Sequence, residues 1–247
     1  TGFAGSHLLS RLSGGDHHVV GWHRPSTTPA PIAGVAWHPV DLLDAGLVDR
    51  AIEATRPDAV YHLAGASHVG ESWRASADHL AIHVRGTHHL LDALRRSAPA
   101  ARTLIVSSGM VYRGQSGPID ESAPLGPASP YALSKLAEEQ LALHAAATDG
   151  LAIIVARPFN HIGPGQAPTF AASSFARQIA RIEIGAAAPQ LAVGNLDAER
   201  DLTDVRDVVA AYVALMAGGA PGTAYNVCRG SVVRMSDVLD RLIDRKS

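Results

Sequence analysis

Short, almost continuously apolar runs alternate along this chain with longer stretches of helical periodicity. The apolar runs, which we predict to be strands, are residues 18–22, 59–64, 103–108 and 151–156. The helical stretches are residues 6–12, 43–55, 77–96 and 131–147. Strands that are apolar along their length are covered on both faces, and strand–helix alternation is typical of parallel sheets. Because crossovers between parallel strands are right-handed, the sequence predicts an α/β fold with a doubly wound parallel sheet.

The pattern changes after residue 156, where four prolines and glycines interrupt regular structure: Pro158, Gly163, Pro164 and Gly165. Beyond them we predict helices over residues 170–184, 205–217 and 235–243, and a strand over residues 224–228. We therefore predict a sheet domain over residues 1–156 and a smaller C-terminal lobe over residues 157–247, interleaved with the end of the sheet. Since Thr1 opens in the middle of a loop, we expect the first strand to precede it and further chain to follow Ser247.

Composition and charge exclude several classes of function. The chain has 47% apolar and 18% charged residues and a net charge of -2, so it is globular, with no general attraction to nucleic acid or anionic membranes. No apolar run approaches the ~20 residues that span a bilayer. The single cysteine, Cys228, favours the cytoplasm, and we interpret it as a small buried residue. His79 and His83 lie four apart, but no neighbouring ligand completes a metal site, so we predict none.

A glycine-rich turn opens the chain and leads into a helix. Gly2 and Gly5 flank Phe3 and Ala4. Such a loop lets the backbone approach a pyrophosphate, and the helix N-terminus adds free N–H groups. The pattern predicts that residues 1–156 bind a dinucleotide; the alternative is an ordinary turn before a helix.

Three further residues are candidates for the adenosine end of that dinucleotide. An NAD-specific site usually has an acidic residue after its second strand, where this chain has Arg24. A cation there can hold the 2′-phosphate of NADP, and the alternative is a solvated arginine. Asp41 and Leu42 lie where a carboxylate can reach the adenine; alternatively, Asp41 caps the helix that follows.

Two predicted strands end in residues that suit a site at the carboxyl edge of the sheet. Leu63, Ala64 and Gly65 are small or apolar, so a cofactor can cross the edge there. Ser108 ends the next strand and can hydrogen-bond a reacting carbonyl oxygen; the alternative is a turn cap.

The strongest catalytic candidates are Tyr131 and Lys135. They lie four residues apart on a predicted helix and so share one face. A nearby ammonium stabilises tyrosinate, which makes the phenol a usable proton donor or acceptor. The spacing is common by chance, but Ser108 upstream gives it a context.

Two residues of the C-terminal lobe suit a phosphorylated sugar. Asn160 offers donors and acceptors to sugar or phosphate oxygens. Arg200 can fork onto a diphosphate, and the alternative is an exposed ion pair with Glu199 or Asp201.

Taken in order, these motifs resemble the extended short-chain dehydrogenase/reductases, the NAD-dependent epimerase/dehydratase group, over nearly the whole chain. The resemblance implies a Rossmann fold, an NAD(H) or NADP(H) cofactor, a nucleotide-sugar substrate and a homodimer. It implies catalysis by Ser108, Tyr131 and Lys135, with Tyr131 and Lys135 also contacting the cofactor. It further implies that Pro158 lies by the nicotinamide, and that the C-terminal lobe binds the nucleotide-sugar through Asn160 and Arg200.

Within that group the chain is similar to the GDP-4-keto-6-deoxy-mannose reductases, through residues 62–73, 157–166, 175–180, 193–196 and 225–228. The dehydratases of the group have a glutamate two residues after the catalytic Ser or Thr, where this chain has Met110 at the substrate. Since methionine transfers no protons, the resemblance favours reduction of the 4-keto group to GDP-rhamnose. The alternatives are a GDP-mannose 4,6-dehydratase, a sugar-nucleotide 4-epimerase and a non-catalytic dinucleotide-sensing module.

Overall fold

The computed structural model describes residues 2–244, so Thr1 and Ser247 lie outside the described residues. Its α-helices are α1 (Phe3–Leu12), α2 (Ala45–Thr55), α3 (Val69–Ser72), α4 (Ser76–Leu80), α5 (Gly86–Ser97), α6 (Pro130–Asp149), α7 (Ala171–Glu183), α8 (Val205–Gly218) and α9 (Met235–Ile243). A π-helical turn (Ala81–Arg85) joins α4 to α5. The strands are β1 (Val19–His23), β2 (Val35–Pro39), β3 (Ala59–His62), β4 (Arg102–Val106), β5 (Ile153–Pro158), β6 (Asn160–Ile162), β7 (Glu199–Asp204), β8 (Ala224–Val227) and β9 (Val232–Arg234).

Parallel pairing dominates the main sheet. The strands β3, β4, β5 and β8 lie side by side in that order, all parallel. β1 and β2 form a second parallel pair. Helices separate these strands in sequence, except between β1 and β2, which a loop joins, so the predicted α/β fold with a parallel sheet is confirmed.

Helices cover both faces of the main sheet. On one face, Leu104 and Ile154 pack against residues of α1 and α8. On the other, Ile105 and Ile153 pack against α5 and α6. Alternate residues of one strand thus enter two different cores, which is why β4 and β5 have no polar side.

The C-terminal part of the chain builds a separate small core. Strand β7 pairs in parallel with β6 and antiparallel with β9. Next to this sheet, Phe175 and Ile179 of α7 pack against Met235 and Leu239 of α9. Between α7 and α9, the chain returns to the main sheet through α8 and β8.

The structure corrects some expectations. The predicted helix over residues 77–96 is interrupted by the π-helical turn, and the short strands β2, β6, β7 and β9 were not predicted. Cys228 is exposed rather than buried, because β8 ends at Val227 and the next residue leaves the sheet. Within residues 2–244, no helix carries an apolar stretch of the length that a bilayer requires.

Candidate active site

The carboxyl ends of three neighbouring strands form the floor of the candidate site. Because β3, β4 and β5 are parallel and in register, the residues that follow them meet at one edge. This places the loop Leu63–Ala64–Gly65, the hydroxyl of Ser108 and the ring of Pro158 along the same side of the sheet.

The N-terminus of α1 is open. Gly2 is its extended N-cap, the first helical bond runs from the Ser6 N–H to the Gly2 carbonyl, and no described side chain caps it. Apart from its chain neighbours and the backbone of α1, a Cβ built on Gly2 or Gly5 would meet no atom of residues 2–244 within 4 Å. The first-turn N–H groups, those of Phe3 and Ala4 among them, therefore have room for a diphosphate.

Aromatic packing holds this turn against the segment that follows β5. The ring of Phe3 stacks on His161 with 5.9 Å between centroids and 7° between planes. His7 Nε2 lies 2.9 Å from the carbonyl oxygen of Pro164. Burial lowers the pKa of His161, so its ring packs as the neutral form.

Ser108 caps a short 3-10 turn (Gly109–Val111). Its Oγ accepts a hydrogen bond of 3.2 Å from the Met110 N–H. The turn-cap interpretation of Ser108 is therefore correct, and it leaves the hydroxyl proton available to a ligand oxygen. The turn packs against α6, and Met110 beside Ser108 is 44% exposed.

The first turn of α6 is fixed from two sides. Ser129 caps it by accepting a 3.1 Å bond from the Ala132 N–H, and the Tyr131 N–H donates to Ser72 Oγ at 3.1 Å. The Tyr131 ring meets the imidazoles of His79 and His83 edge to face, at centroid distances of 6.1 and 5.9 Å. These contacts fix the Tyr131 ring on α6, the helix against which the Ser108 turn packs.

Lys135, one helical turn beyond Tyr131, is buried and forms an ion pair with Glu138. Glu138 Oε1 accepts a 3.0 Å hydrogen bond from Thr87, whose Oγ lies 2.8 Å from His62 Nε2. Since the Thr87 proton goes to Glu138, His62 must donate from Nε2. Burial raises the pKa of Glu138, but the Lys135 ammonium and His62 more than offset this and lower it to about 2.

His83 links the loop after β3 to α6. Its Nε2 accepts from the Ala66 N–H at 3.1 Å, and its Nδ1 lies 2.8 Å from Ser134 Oγ. Ser134 in turn donates to the Tyr131 carbonyl at 2.8 Å, so His83 must carry its proton on Nδ1. Burial, with the nearby Lys135 ammonium, lowers the pKa of His83 to about 3, which makes the ring neutral.

The sequence patterns did not indicate the buried side chains behind Tyr131 and Lys135: Glu138, Thr87, His62 and His83. Within residues 2–244, no group of three or more His, Cys, Asp or Glu side chains could hold a metal ion. One sequence feature could have indicated Glu138: a carboxylate three residues after Lys135 shares its helix face. A second is Gly65, which could have indicated a close neighbour, because a Cβ there would lie 2.5 Å from His83 Nε2.

The candidate contacts for adenosine lie beside β1. Arg24 is exposed directly after that strand. Asp41 Oδ1 accepts from the Leu43 N–H at 2.9 Å, whereas the N-cap of α2 is Asp44, so the interpretation of Asp41 as that cap is wrong. Leu42 is buried in the core beneath α2 and α5.

The two candidate substrate contacts of the C-terminal lobe come from paired strands. Asn160 is exposed at the start of β6 and lies opposite Leu202 of β7. Arg200, exposed on β7, donates to the Glu199 carbonyl at 2.7 Å. Among the described residues it forms no ion pair with Glu199 or Asp201, so its guanidinium remains available for a diphosphate.

Comparison with known proteins finds a matching family and several relatives. The sequence model of the NAD dependent epimerase/dehydratase family matches residues 1–228. The chain is 42% identical to the GDP-6-deoxy-D-mannose reductase of Pseudomonas aeruginosa, an alignment that covers 99% of this chain and 77% of that protein. It is 33% identical to UDP-glucose 4-epimerase 2 of Oryza sativa subsp. japonica, over 71% of this chain and 45% of that protein.

A solved structure, that of RMD from Pseudomonas aeruginosa complexed with NADPH, superimposes with a TM-score of 0.86. The two sequences are 40% identical, and the superposition covers 98% of this chain and 80% of that one.

Proposed function

Because this chain belongs to the NAD dependent epimerase/dehydratase family, we propose that it reduces the 4-keto group of GDP-4-keto-6-deoxy-mannose and forms GDP-rhamnose. The observation that carries the proposal is the arrangement of Tyr131 and the buried Lys135 on α6, against which the Ser108 turn packs. The 42% identity to a protein named GDP-6-deoxy-D-mannose reductase, over 99% of the chain, supports it.

The cofactor site that we propose follows the carboxyl edge. The backbone of Gly2, Phe3, Ala4 and Gly5 binds the diphosphate, and the open space beside both glycines fits that group. The adenosine end lies by three residues: Arg24, Asp41 and Leu42. The nicotinamide end passes the loop of Leu63, Ala64 and Gly65 toward Pro158. NADPH or NADH, when bound, supplies the hydride that adds to C4 of the sugar.

Two side chains, Tyr131 and Ser108, act on the carbonyl oxygen, and Lys135 acts on Tyr131 and the cofactor. Tyr131 donates its phenolic proton to the alkoxide that forms as the hydride arrives. The ammonium of Lys135 stabilises the tyrosinate left behind and hydrogen-bonds the nicotinamide ribose. Ser108 donates its hydroxyl proton to the same oxygen, which fixes the carbonyl in place.

The choice of reduction over dehydration rests on Met110. Dehydration of GDP-mannose removes a proton from C5 and expels the C6 hydroxyl, so it needs a further acid and base. The residue beside Ser108 that faces outward is Met110, whose thioether carries no proton. We propose that it contacts the sugar, while Asn160 and Arg200 of the C-terminal lobe bind the nucleotide-sugar diphosphate.

The test is product identification with the full-length protein. Incubation with GDP-4-keto-6-deoxy-mannose and NADPH should oxidise one NADPH per sugar and yield GDP-rhamnose, identified by NMR. Tyr131→Phe should lower kcat by about two orders of magnitude or more while NADPH binds as in wild type.

Three other outcomes contradict the proposal. Conversion of GDP-mannose alone to a 4-keto product would indicate a dehydratase, and C4 inversion without added reductant would indicate an epimerase. NADPH binding without turnover of any sugar nucleotide would indicate a sensing module.

We also propose that the protein acts in the cytoplasm as a homodimer. A single cysteine, which can form no internal disulfide, supports the location. Exposed apolar side chains on α6 and on the elements packed against it support the dimer.

A further inference from the structure

Glu138 lies in an environment that a surface helix position would not explain. Its carboxylate is fully buried, and its charged neighbour is the ammonium of Lys135. A desolvated carboxylate is costly unless it is paired and hydrogen-bonded. Here both conditions are met, since Thr87 donates to Oε1 and the ion pair satisfies the charge.

Besides Thr87 of α5, the titratable groups facing this carboxylate come from three elements. Lys135 lies on α6 itself, His62 ends β3 with its Nε2 3.4 Å from Oε1, and His83 lies in the π-helical turn. His83 is neutral, with a pKa of about 3. The Lys135 ammonium and His62 keep Glu138 ionised, and its negative charge lies next to that ammonium.

We propose that Glu138 is a positioning residue for the reaction: its buried carboxylate holds the Lys135 ammonium in place and sets the net charge that Tyr131 meets. This proposal rests on the proposed function, in which Tyr131 must begin the reaction protonated. With Glu138 present, the Tyr131–Lys135 pair faces one compensating negative charge. Without Glu138, the first deprotonation of the Tyr131–Lys135 pair occurs at lower pH, whether Tyr131 or Lys135 loses the proton.

The next residue of the chain is a matched control. Glu139 is also fully buried on α6, but it pairs with Arg157, which in turn donates to Tyr112 Oη at 2.6 Å. Glu139→Gln therefore removes a buried carboxylate of the same helix without removing a partner of Lys135. A purely structural role for Glu138 predicts that the two variants behave alike.

The experiment follows the protonation of the Lys135 side chain as the pH is changed. The 247 residues contain the lysines Lys135 and Lys246, so ¹⁵N-lysine NMR gives few side-chain signals, and the signal that Lys135→Arg removes is that of Lys135. In Glu138→Gln the midpoint of the Lys135 titration should fall by about one pH unit or more, the usual effect of losing an adjacent opposite charge. In Glu139→Gln it should stay at the wild-type value. Glu138→Asp, which retracts the carboxylate by one methylene, should give a smaller fall, and Glu139→Asp none.

Activity supplies the second measurement. The alkaline limb of the kcat profile for carbonyl reduction should move to lower pH in Glu138→Gln and not in Glu139→Gln. An unchanged Lys135 midpoint in Glu138→Gln would overturn the proposal; if that variant does not fold, an unchanged midpoint in Glu138→Asp would do so. Because the titration needs no substrate, absence of turnover in the wild type would refute the proposed function and leave this result standing.

Discussion

In this fold, the side chain after β1 influences whether the adenosine site binds the 2′-hydroxyl of NAD or the 2′-phosphate of NADP. A carboxylate at that point binds the ribose hydroxyls of NAD and repels a 2′-phosphate. This chain places the exposed guanidinium of Arg24 there instead. A guanidinium can bind a phosphate through two parallel hydrogen bonds, so we propose that Arg24 favours NADPH over NADH.

Arg24→Ala should therefore raise KM for NADPH by about tenfold to a hundredfold, the value of a charge-assisted hydrogen bond of ~1.5–3 kcal/mol. KM for NADH should change little, because NADH has no phosphate at that position. Initial rates with both cofactors measure the ratio. Arg11→Ala, at an exposed arginine of α1, is the control. An equal loss with both cofactors would contradict the assignment.

The residues that the sequence identified at this scale are those with a local signature. Tyr131 and Lys135 are one helical turn apart, and Ser108 ends an apolar run. The buried network behind them has no such signature, since Thr87 and Glu138 are 51 residues apart and meet only when α5 packs on α6. Packing of distant elements, rather than any spacing in the sequence, creates that part of the site.

At the scale of elements, the π-helical turn is the feature with a measurable consequence. It places His83 between the β3 loop and α6, with a pKa lowered to about 3 from an ordinary value of 6.5, first by burial and then by Lys135. Between those two pH values the unfolded chain binds a proton that the folded chain does not. The free energy of unfolding therefore rises with pH over this window and falls as the pH drops from 6.5 toward 3.

In urea unfolding between pH 4 and 6, His83 should make the free energy of unfolding rise by about 1.4 kcal/mol per pH unit. His83→Gln removes the titrating group, so its unfolding free energy should fall less steeply with acid than that of the wild type. His88→Gln, at an exposed histidine of α5, should keep the wild-type slope. Equal slopes in all three proteins would show that folding does not lower the pKa of His83.

Elements with strong periodicity were predicted well, and weakly patterned ones were not. The predicted helix over residues 235–243 has the bounds of α9, because one clear apolar stripe packs on α7. Strand β7, Glu199–Asp204, has no apolar run; it forms because β6 and β9 pair with it. The π-helical turn keeps helical periodicity on both sides, so the pattern predicted one unbroken helix.

At the scale of the whole molecule, an apolar surface follows the helix that carries Tyr131. Leu133 of α6 is 53% exposed, Leu80 of α4 42% and Trp73 after α3 67%. The three helices pack against one another, so these side chains lie on neighbouring elements. Contiguous exposed apolar side chains mark interaction surfaces. A second copy of the chain that covers them would also restrain the first turn of α6.

Leu133→Glu places a charge in that surface and should convert a dimer into a monomer, since an unpaired buried charge costs several kcal/mol. Size-exclusion chromatography with light scattering measures the mass, and circular dichroism checks that the fold is kept. Ile184→Glu is the matched control, because Ile184 is 78% exposed at the end of α7, away from α6. A monomeric wild type, or a dimer that survives Leu133→Glu, would refute this interface. Because Leu133 is two residues from Tyr131, we expect the monomer to lose kcat while its affinity for NADPH, whose proposed site includes many residues outside α6, is largely kept.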